Sequence, residues 1–181
     1  MKNPLHILFT ALTAICSLFI GVSAGEADDL LLRGEYLTKI MDCGACHTPR
    51  KMGPVGTEPD GSRYYMAGHP QDIQLPPPPA LPKGPWKAIS AANTAWAGPW
   101  GISYSSNLTP DRETGIGTWS EKMFAASIRS GKHAGTGRNL LPPMPKYPEL
   151  TDEDMKAIYS YLRNRAPVAN RVPPPTPPST E

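Results

Sequence analysis

The stretch "MDCGACHTPR" at residues 41–50 places two cysteines three positions apart and a histidine directly after the second. Cys43, Cys46 and His47 are therefore candidates to hold a structural metal, to form a thiol redox pair, or to attach a haem. The three possibilities require different folds, so this short motif decides how the rest of the chain is interpreted.

A structural zinc site needs four nitrogen or sulfur ligands, usually from paired clusters, and this chain has one cysteine pair. The remaining cysteine, Cys16, lies in an apolar N-terminal segment and is interpreted as apolar filler. A thioredoxin-like pair sits beside a strand–helix–strand pattern, whereas the residues before Cys43 have a helical pattern. Cys-x-x-Cys-His is typical of haem c attachment, in which both thiols form thioethers and His47 becomes the proximal iron ligand. The motif therefore favours one covalently bound haem c.

The composition predicts one domain with long loops. The chain has 181 residues, and its 23 prolines cluster near 76–85, 142–148 and 167–178. Proline at this density interrupts helices and strands. The formal net charge of +2 is spread along the chain, which argues against a nucleic-acid partner. The sequence indicates neither catalytic carboxylates nor a nucleophile pair, so an enzyme is not predicted.

Residues 1–24 have the features of an export signal. Lys2 is followed by an uncharged stretch at 7–22, and "VSA" at 22–24 fits a small-residue cleavage site. The stretch is shorter than the ~20 residues that a spanning helix needs. We expect cleavage near Ala24 and a periplasmic location, with a membrane anchor as the alternative if the signal is retained.

A haem that shuttles electrons needs a second axial ligand. The segment "NLLPPMPKYPELTDEDM" places Met144 among three prolines, just before a helix, and prolines can hold a weak thioether donor in place. We therefore predict Met144 as the distal ligand. Side-chain type alone leaves Met66, His69 and His133 open as alternatives, although we expect both histidines to be exposed loop residues.

Three segments have helical patterns, and no segment has a convincing strand pattern. The first leads into the attachment motif, the second begins at the N-cap Ser120, and the third begins at the N-cap Thr151. The residues expected to face inward are Leu32, Tyr36, Leu37 and Ile40; Phe124 and Ile128; and Met155, Ile158, Tyr159 and Leu162. Residues 48–118 are expected to be mainly loop. The predicted fold class is all-α, with three main helices around one covalent haem and long proline-rich loops.

These segments, in this order, resemble class I c-type cytochromes over about residues 29–166. More narrowly, "SSNLTPDRETGIGTWSEKMFAASIRSGKH" and "LLPPMPKYPELTDEDMKAIYSYLRN" are similar to bacterial periplasmic cytochromes related to the haem subunits of alcohol and sugar dehydrogenases. Those subunits commonly carry three haem attachment sites, and this chain has one. The resemblance implies a cytochrome c domain at 25–166, and we expect residues 167–181 to be a proline-rich disordered tail.

The resemblance also assigns roles to particular residues. It implies that Cys43 and Cys46 hold the haem, that His47 is the proximal iron ligand and that Met144 is the distal one. It further implies that the first helix crosses the last, with Gly34 and Tyr36 against Ile158, Tyr161 and Leu162. The segment around Ser106, Asn107 and Thr109 looks like the family's stretch near the haem, although no single contact is assigned.

Two further expectations concern the loops. Ligating histidines usually donate their outer ring N–H to a partner, and we expect a carbonyl of the Gly53–Pro54 region to accept it. The insertion at about 66–104 departs from the minimal class I plan. Its tryptophans at 86, 96 and 100 either cover the haem edge or serve as ordinary loop packing.

The function implied by the resemblance is one-electron transfer by a soluble periplasmic carrier. Its expected partners are redox proteins that dock transiently, such as a dehydrogenase or a terminal oxidase. Two alternatives remain: a haem c subunit of a membrane-bound dehydrogenase complex, and a haem enzyme or sensor with a displaceable sixth ligand.

Overall fold

The computed structural model describes residues 24–61, 64–79 and 86–178. Within these ranges, four helices and five short strands follow one another in the order α1 Ala24–Ile40, α2 Cys43–His47, β1 Arg50–Gly53, β2 Gly56–Pro59, β3 Ala88–Ile89, β4 Ala95–Gly98, β5 Gly101–Tyr104, α3 Glu121–Ser130 and α4 Asp152–Arg163. The predicted export signal lies outside the described residues except for Ala24. Across the described ranges, every helix is too short or too polar to cross a lipid bilayer.

The first helix packs against the last where a glycine removes the side chain between them. A Cβ atom built on Gly34 would lie 2.7 Å from Tyr161 Cβ and would overlap the carbonyl oxygen of Ala157. The glycine therefore lets α1 approach α4 closely, which confirms the expected contact of Gly34. Tyr36, expected on the same face, is 53% exposed and lies beneath the Arg33 guanidinium.

The buried face of α1 differs from the predicted one. Leu37 is buried as expected, but Leu32, Tyr36 and Ile40 are exposed. The buried face instead follows Leu30, Gly34, Leu37 and Met41 at helical spacing. Because Gly34 adds no hydrophobicity to this face, the apolar pattern pointed to the wrong side of the helix.

The α3 and α4 helices begin as predicted. Ser120 Oγ accepts a hydrogen bond from Met123 N at 3.2 Å, and Thr151 Oγ1 accepts one from Asp154 N at 3.1 Å. Each cap satisfies a backbone donor that has no partner within its helix. The main core joins residues of all three long helices with two loop residues, Met66 and Ile116; the helical members are Leu37, Phe124, Met155, Ala157, Ile158, Tyr161 and Leu162.

The all-α class predicted from the sequence is wrong, because the segment between α2 and α3 contains two antiparallel sheets. Strands β1 and β2 form a hairpin, and β3, β4 and β5 form a second sheet in that order. Residues 50–53 and 56–59 are mostly exposed, and residues 95–97 are all buried, so β1, β2 and β4 lack the alternating pattern that identifies a strand. The turns at 54–55 and 99–100 each begin with proline and lack the Asn-Gly signature of a hairpin.

The chain after α4 runs back across the domain, which differs from the disordered tail expected from residue 167. Asn170 is completely buried, and Asn107 Nδ2 donates to the carbonyl oxygen of Val168 at 2.8 Å. Ile102 and Thr176 exchange two backbone hydrogen bonds, so the segment also covers the edge of β5. Proline-rich composition suggested disorder, but these individual polar contacts hold residues 167–178 in place.

Candidate functional site

A cavity of about 300 Å³ lies between α2, α3, α4 and the loop that follows α3. Cys43, Cys46, His47 and Met144 all lie in its wall. The rest of the wall is largely apolar and includes Trp96, Leu108, Phe124, Ile128, Leu140, Leu141, Ile158 and Leu162. The structure therefore brings the four predicted site residues together around one space suited to an apolar ligand.

The short α2 helix directs both cysteines into this cavity. Asp42 has φ of 56°, a left-handed conformation that separates the end of α1 from α2. Residues three apart in a helix lie on the same face, so the Cys43 and Cys46 thiols can reach one ligand. The two thiols are not joined by a disulfide.

The electrostatic surroundings of the thiols argue against a redox pair. Burial raises the pKa of the Cys43 thiol to about 11 and also raises the pKa of the Cys46 thiol. A catalytic redox cysteine requires a lowered pKa, because the thiolate is the nucleophile. A structural zinc site is also not supported, because within residues 24–61, 64–79 and 86–178 no group of three or more His, Cys, Asp or Glu residues could hold a metal ion.

The His47 ring is oriented by a backbone carbonyl. His47 Nδ1 lies 2.8 Å from the carbonyl oxygen of Ser106, and the side chain is buried. Burial lowers the pKa of the imidazole, and the hydrogen bond to Ser106 opposes this shift. When Nδ1 carries the proton and donates it to Ser106, the lone pair of Nε2 is available to a metal. The expected partner, a carbonyl of Gly53–Pro54, is wrong.

A set of hydrogen-bond donors that the sequence did not predict holds α2 from the side of the insertion. The last carbonyl groups of a helix have no partner within it. Three of them accept hydrogen bonds here: that of Ala45 from Asn93 Nδ2 at 2.7 Å, that of Cys46 from Ser105 Oγ at 2.5 Å, and that of His47 from Gly68 N at 2.8 Å. No sequence pattern identifies these donors, because they are isolated residues of irregular segments and strand ends.

Met144 lies in the cavity wall with its neighbours Pro142, Pro143 and Pro145. Its backbone N–H donates to the carbonyl oxygen of Leu141 at 3.2 Å. The loop therefore places Met144 in the cavity wall within a proline-rich turn, and its role as an iron ligand stays a prediction.

The three alternative ligands are placed elsewhere. Met66 is 1% exposed and belongs to the core between the helices. Both ring nitrogens of His69 have partners, with Nδ1 at 2.9 Å from Thr94 Oγ1 and Nε2 at 3.2 Å from the Ile73 carbonyl oxygen. His69 is also completely buried, which differs from the exposed loop position expected for it. His133 packs edge-on against Trp119, with ring centroids 5.1 Å apart.

The insertion supplies several residues of the cavity wall. Trp96 lines the cavity and is 5% exposed, whereas Trp86 is 68% exposed. Tyr104 from β5 and Pro175 from the C-terminal segment also line the cavity. Of the three tryptophans at 86, 96 and 100, Trp96 is among the residues that line the cavity, and Trp86 and Trp100 are not.

The residues present fit a haem c. Two thiols lie on one face of a short helix, an imidazole next to them has its outer nitrogen paired, and a thioether lies in the same apolar wall. Soft sulfur and imidazole nitrogen are the donors that haem iron takes in c-type cytochromes. This donor set matches the third interpretation of the opening motif.

Comparison with known proteins agrees with the geometry. The family model for cytochrome c matches residues 32–166. The gluconate 2-dehydrogenase cytochrome c subunit of Pantoea cypripedii is 34% identical over 173 residues, which are 93% of this chain and 30% of that protein. The fructose dehydrogenase cytochrome subunit of Gluconobacter japonicus is 33% identical over 132 residues, 72% of this chain and 20% of that protein.

A third relative is also named as the cytochrome subunit of a dehydrogenase. The cytochrome c subunit of the quinone-dependent alcohol dehydrogenase of Gluconobacter oxydans is 30% identical over 162 residues, 82% of this chain and 26% of that protein. The chain thus spans less than a third of the length of each of these three relatives. The match to the family model, together with the haem c motif at 43–47, shows that this chain belongs to the cytochrome c family of electron-transfer proteins, which carry covalently bound haem c and are not themselves the catalytic enzymes.

Proposed function

We propose that the chain is a soluble periplasmic carrier that transfers single electrons through one haem c, with His47 and Met144 as the axial ligands. The main support is that Met144 and the attachment motif line the same apolar cavity, whereas Met66, His69 and His133 are not among its lining residues. Haem c supplies an iron that alternates between the ferric and ferrous states.

The protein's residues would hold and tune that iron. The Cys43 and Cys46 thiols would form the covalent links, and the Nε2 atom of His47 and the sulfur of Met144 would bind the iron. Methionine is a soft donor, so its coordination favours the ferrous state and raises the reduction potential. The largely apolar walls exclude water, which further disfavours the more highly charged ferric form.

The surrounding structure favours fast transfer because it holds both ligands in place. His47 is buried and hydrogen-bonded through Nδ1 to Ser106. Met144 sits in a loop stiffened by prolines, whose backbone freedom is small. Ligands that keep their positions in both oxidation states leave little geometry to reorganise when an electron moves.

The axial assignment is tested with a Met144→Ala variant. Reduced wild-type protein should react little with carbon monoxide, because its sixth position is filled, whereas the variant should bind it readily and show a changed spectrum. Met52→Ala is the matched control, since Met52 is 77% exposed on β1. Immediate carbon monoxide binding by the wild type, with an unchanged spectrum in the variant, would contradict the proposal.

A second candidate is a haem subunit bound stably to a dehydrogenase. It is favoured by the relatives, which are named as cytochrome subunits of gluconate, fructose and alcohol dehydrogenases. Gel filtration of the natively expressed protein distinguishes the two functions. A carrier elutes at the size of the chain with one haem, while a subunit elutes with a dehydrogenase.

Export through a cleaved signal is also part of the proposal. The mass of the mature protein should correspond to a chain that starts close to Gly25, found in the periplasmic fraction. A chain that keeps residues 1–24 and sediments with membranes would support the anchored alternative instead.

A further inference from the structure

We propose that Gly68 and Asn170 are positioning residues that fix the hydrogen bond between the His47 imidazole and the Ser106 carbonyl, and that they thereby set the reduction potential. This inference rests on the proposed role of His47 as an iron ligand. Both residues lie outside the cavity wall and act on the haem only through the backbone that surrounds His47.

Gly68 lies between the two groups that it would position. Its N–H donates to the carbonyl oxygen of His47 at 2.8 Å. A Cβ atom built on Gly68 would lie 2.6 Å from the carbonyl oxygen of Ser106 and would overlap that of Ser105. Its φ of 80° is in the left-handed region, which glycine adopts without steric cost. A side chain at this position must therefore displace the carbonyl that accepts the His47 proton.

Asn170 holds the segment that contains Gly68. Its Nδ2 donates to the carbonyl oxygen of Ala67 at 2.7 Å and to that of His69 at 2.9 Å. Its Oδ1 accepts from Gln71 N at 2.8 Å, so all three contacts flank or follow Gly68. Asn170 is completely buried, which makes these bonds costly to break because the freed groups would have no water to replace them.

The link to the reduction potential is the basicity of the ligating nitrogen. A hydrogen bond from Nδ1 to a carbonyl increases electron density on Nε2 and strengthens its bond to the metal. A more basic ligand stabilises the ferric state more than the ferrous state. Weakening the bond between His47 and Ser106 should therefore raise the potential. The acceptor is a backbone carbonyl, so no side-chain substitution at residue 106 removes it. Substitutions at Gly68 and Asn170 can instead weaken the hydrogen bond by moving the backbone around it.

The experiment compares Gly68→Ala and Asn170→Ala with wild type, using haem-bearing full-length protein. Gly56→Ala is the control for Gly68, because Gly56 also has positive φ, at 104°, and no atom lies within 4 Å of its built Cβ. Exposed Asn164 supplies the control substitution Asn164→Ala for Asn170. Spectroelectrochemical titration measures the midpoint potential, and NMR measures the exchange rate of the His47 Nδ1 proton.

We expect both test variants to have a higher midpoint potential than wild type. The equilibrium constant for reduction should rise by about threefold or more, which is the size expected from weakening one hydrogen bond. The Nδ1 proton should exchange faster, and the controls should match wild type. If Gly68→Ala does not mature, Asn170→Ala decides the question.

Unchanged potentials in variants that keep the wild-type haem spectrum would overturn the inference and leave the proposed function standing. Failure of both variants to mature would also overturn it, because the two residues would then serve folding alone. If instead wild-type protein shows no His/Met haem spectrum, the proposed function itself fails, and the two failures are thereby distinguished.

Discussion

Ser103 Oγ donates a hydrogen bond to the carbonyl oxygen of Pro142 at 2.5 Å, so strand β5 holds the loop that carries Met144. Ser103 is 5% exposed, and the bond links the insertion to the distal wall of the cavity. The insertion thus supports the site from two directions, since Gly68, Asn93 and Ser105 also bind the carbonyl groups of α2.

Replacing Ser103 with alanine should loosen the Met144 loop. The Pro142 carbonyl would lose its hydrogen-bond partner, which costs about 1 kcal/mol or more. The fraction of molecules in which the loop has moved away from the cavity should therefore rise by about fivefold or more. Stopped-flow mixing of reduced protein with carbon monoxide should therefore show faster binding. Ser130→Ala is the control, because Ser130 is exposed at the end of α3 and is not among the residues that line the cavity. Equal binding rates in Ser103→Ala and wild type would show that β5 does not restrain the loop.

Gly34→Ala should destabilise the folded protein even though alanine is the better helix former. The added methyl group would overlap the Ala157 carbonyl, and overpacking of this kind costs about 1–3 kcal/mol. Urea unfolding of haem-bearing protein measures the change in the free energy of unfolding. Gly61→Ala is the control, because its built Cβ meets no atom of the described residues within 4 Å. A Gly34→Ala variant as stable as that control would contradict the close packing of α1 on α4.

Asp111 should make stability depend on acidic pH. Its carboxylate accepts hydrogen bonds from the Thr114 side chain and from the backbone N–H groups of Thr114 and Glu113, and these bonds lower its pKa. A lowered pKa in the folded state stabilises the fold above the unfolded-state pKa. That contribution is lost as the pH falls through the folded-state value.

The test of Asp111 is urea unfolding at a series of acidic pH values. Asp111→Asn should be less stable than wild type at neutral pH, and its stability should fall less between neutral and acidic pH. Asp28→Asn removes the same charge from an exposed position on α1 and serves as the control. Parallel pH profiles for wild type and Asp111→Asn would rule out this contribution.

The sequence predicted those features that depend on local chemistry. The caps Ser120 and Thr151 and the buried residues Met155, Ile158 and Leu162 follow from helix chemistry and periodicity, and the structure contains them. The attachment motif and Met144 could be named because cysteine spacing and proline bracing are visible in the sequence. The role of Met144 as an iron ligand stays a prediction.

Features that depend on distant contacts could not be predicted. Strand β4 is short and buried on both faces, so it lacks the alternation that identifies a strand. Asn170 bonds to Ala67 and His69, about a hundred positions away, and composition suggested disorder there. The carbonyl that orients His47 belongs to Ser106 rather than to the nearby Gly53–Pro54 region, because sequence proximity does not decide which backbone folds against the ring.

The central claim is that one haem is covalently attached through Cys43 and Cys46. The most direct test is the intact mass of protein exported from a host with working cytochrome maturation, measured together with the pyridine haemochrome spectrum. We expect a coloured protein whose mass equals the processed chain plus one haem, and a Cys43→Ala, Cys46→Ala double variant without covalent haem. A colourless wild-type protein with the mass of the processed polypeptide alone would contradict this claim.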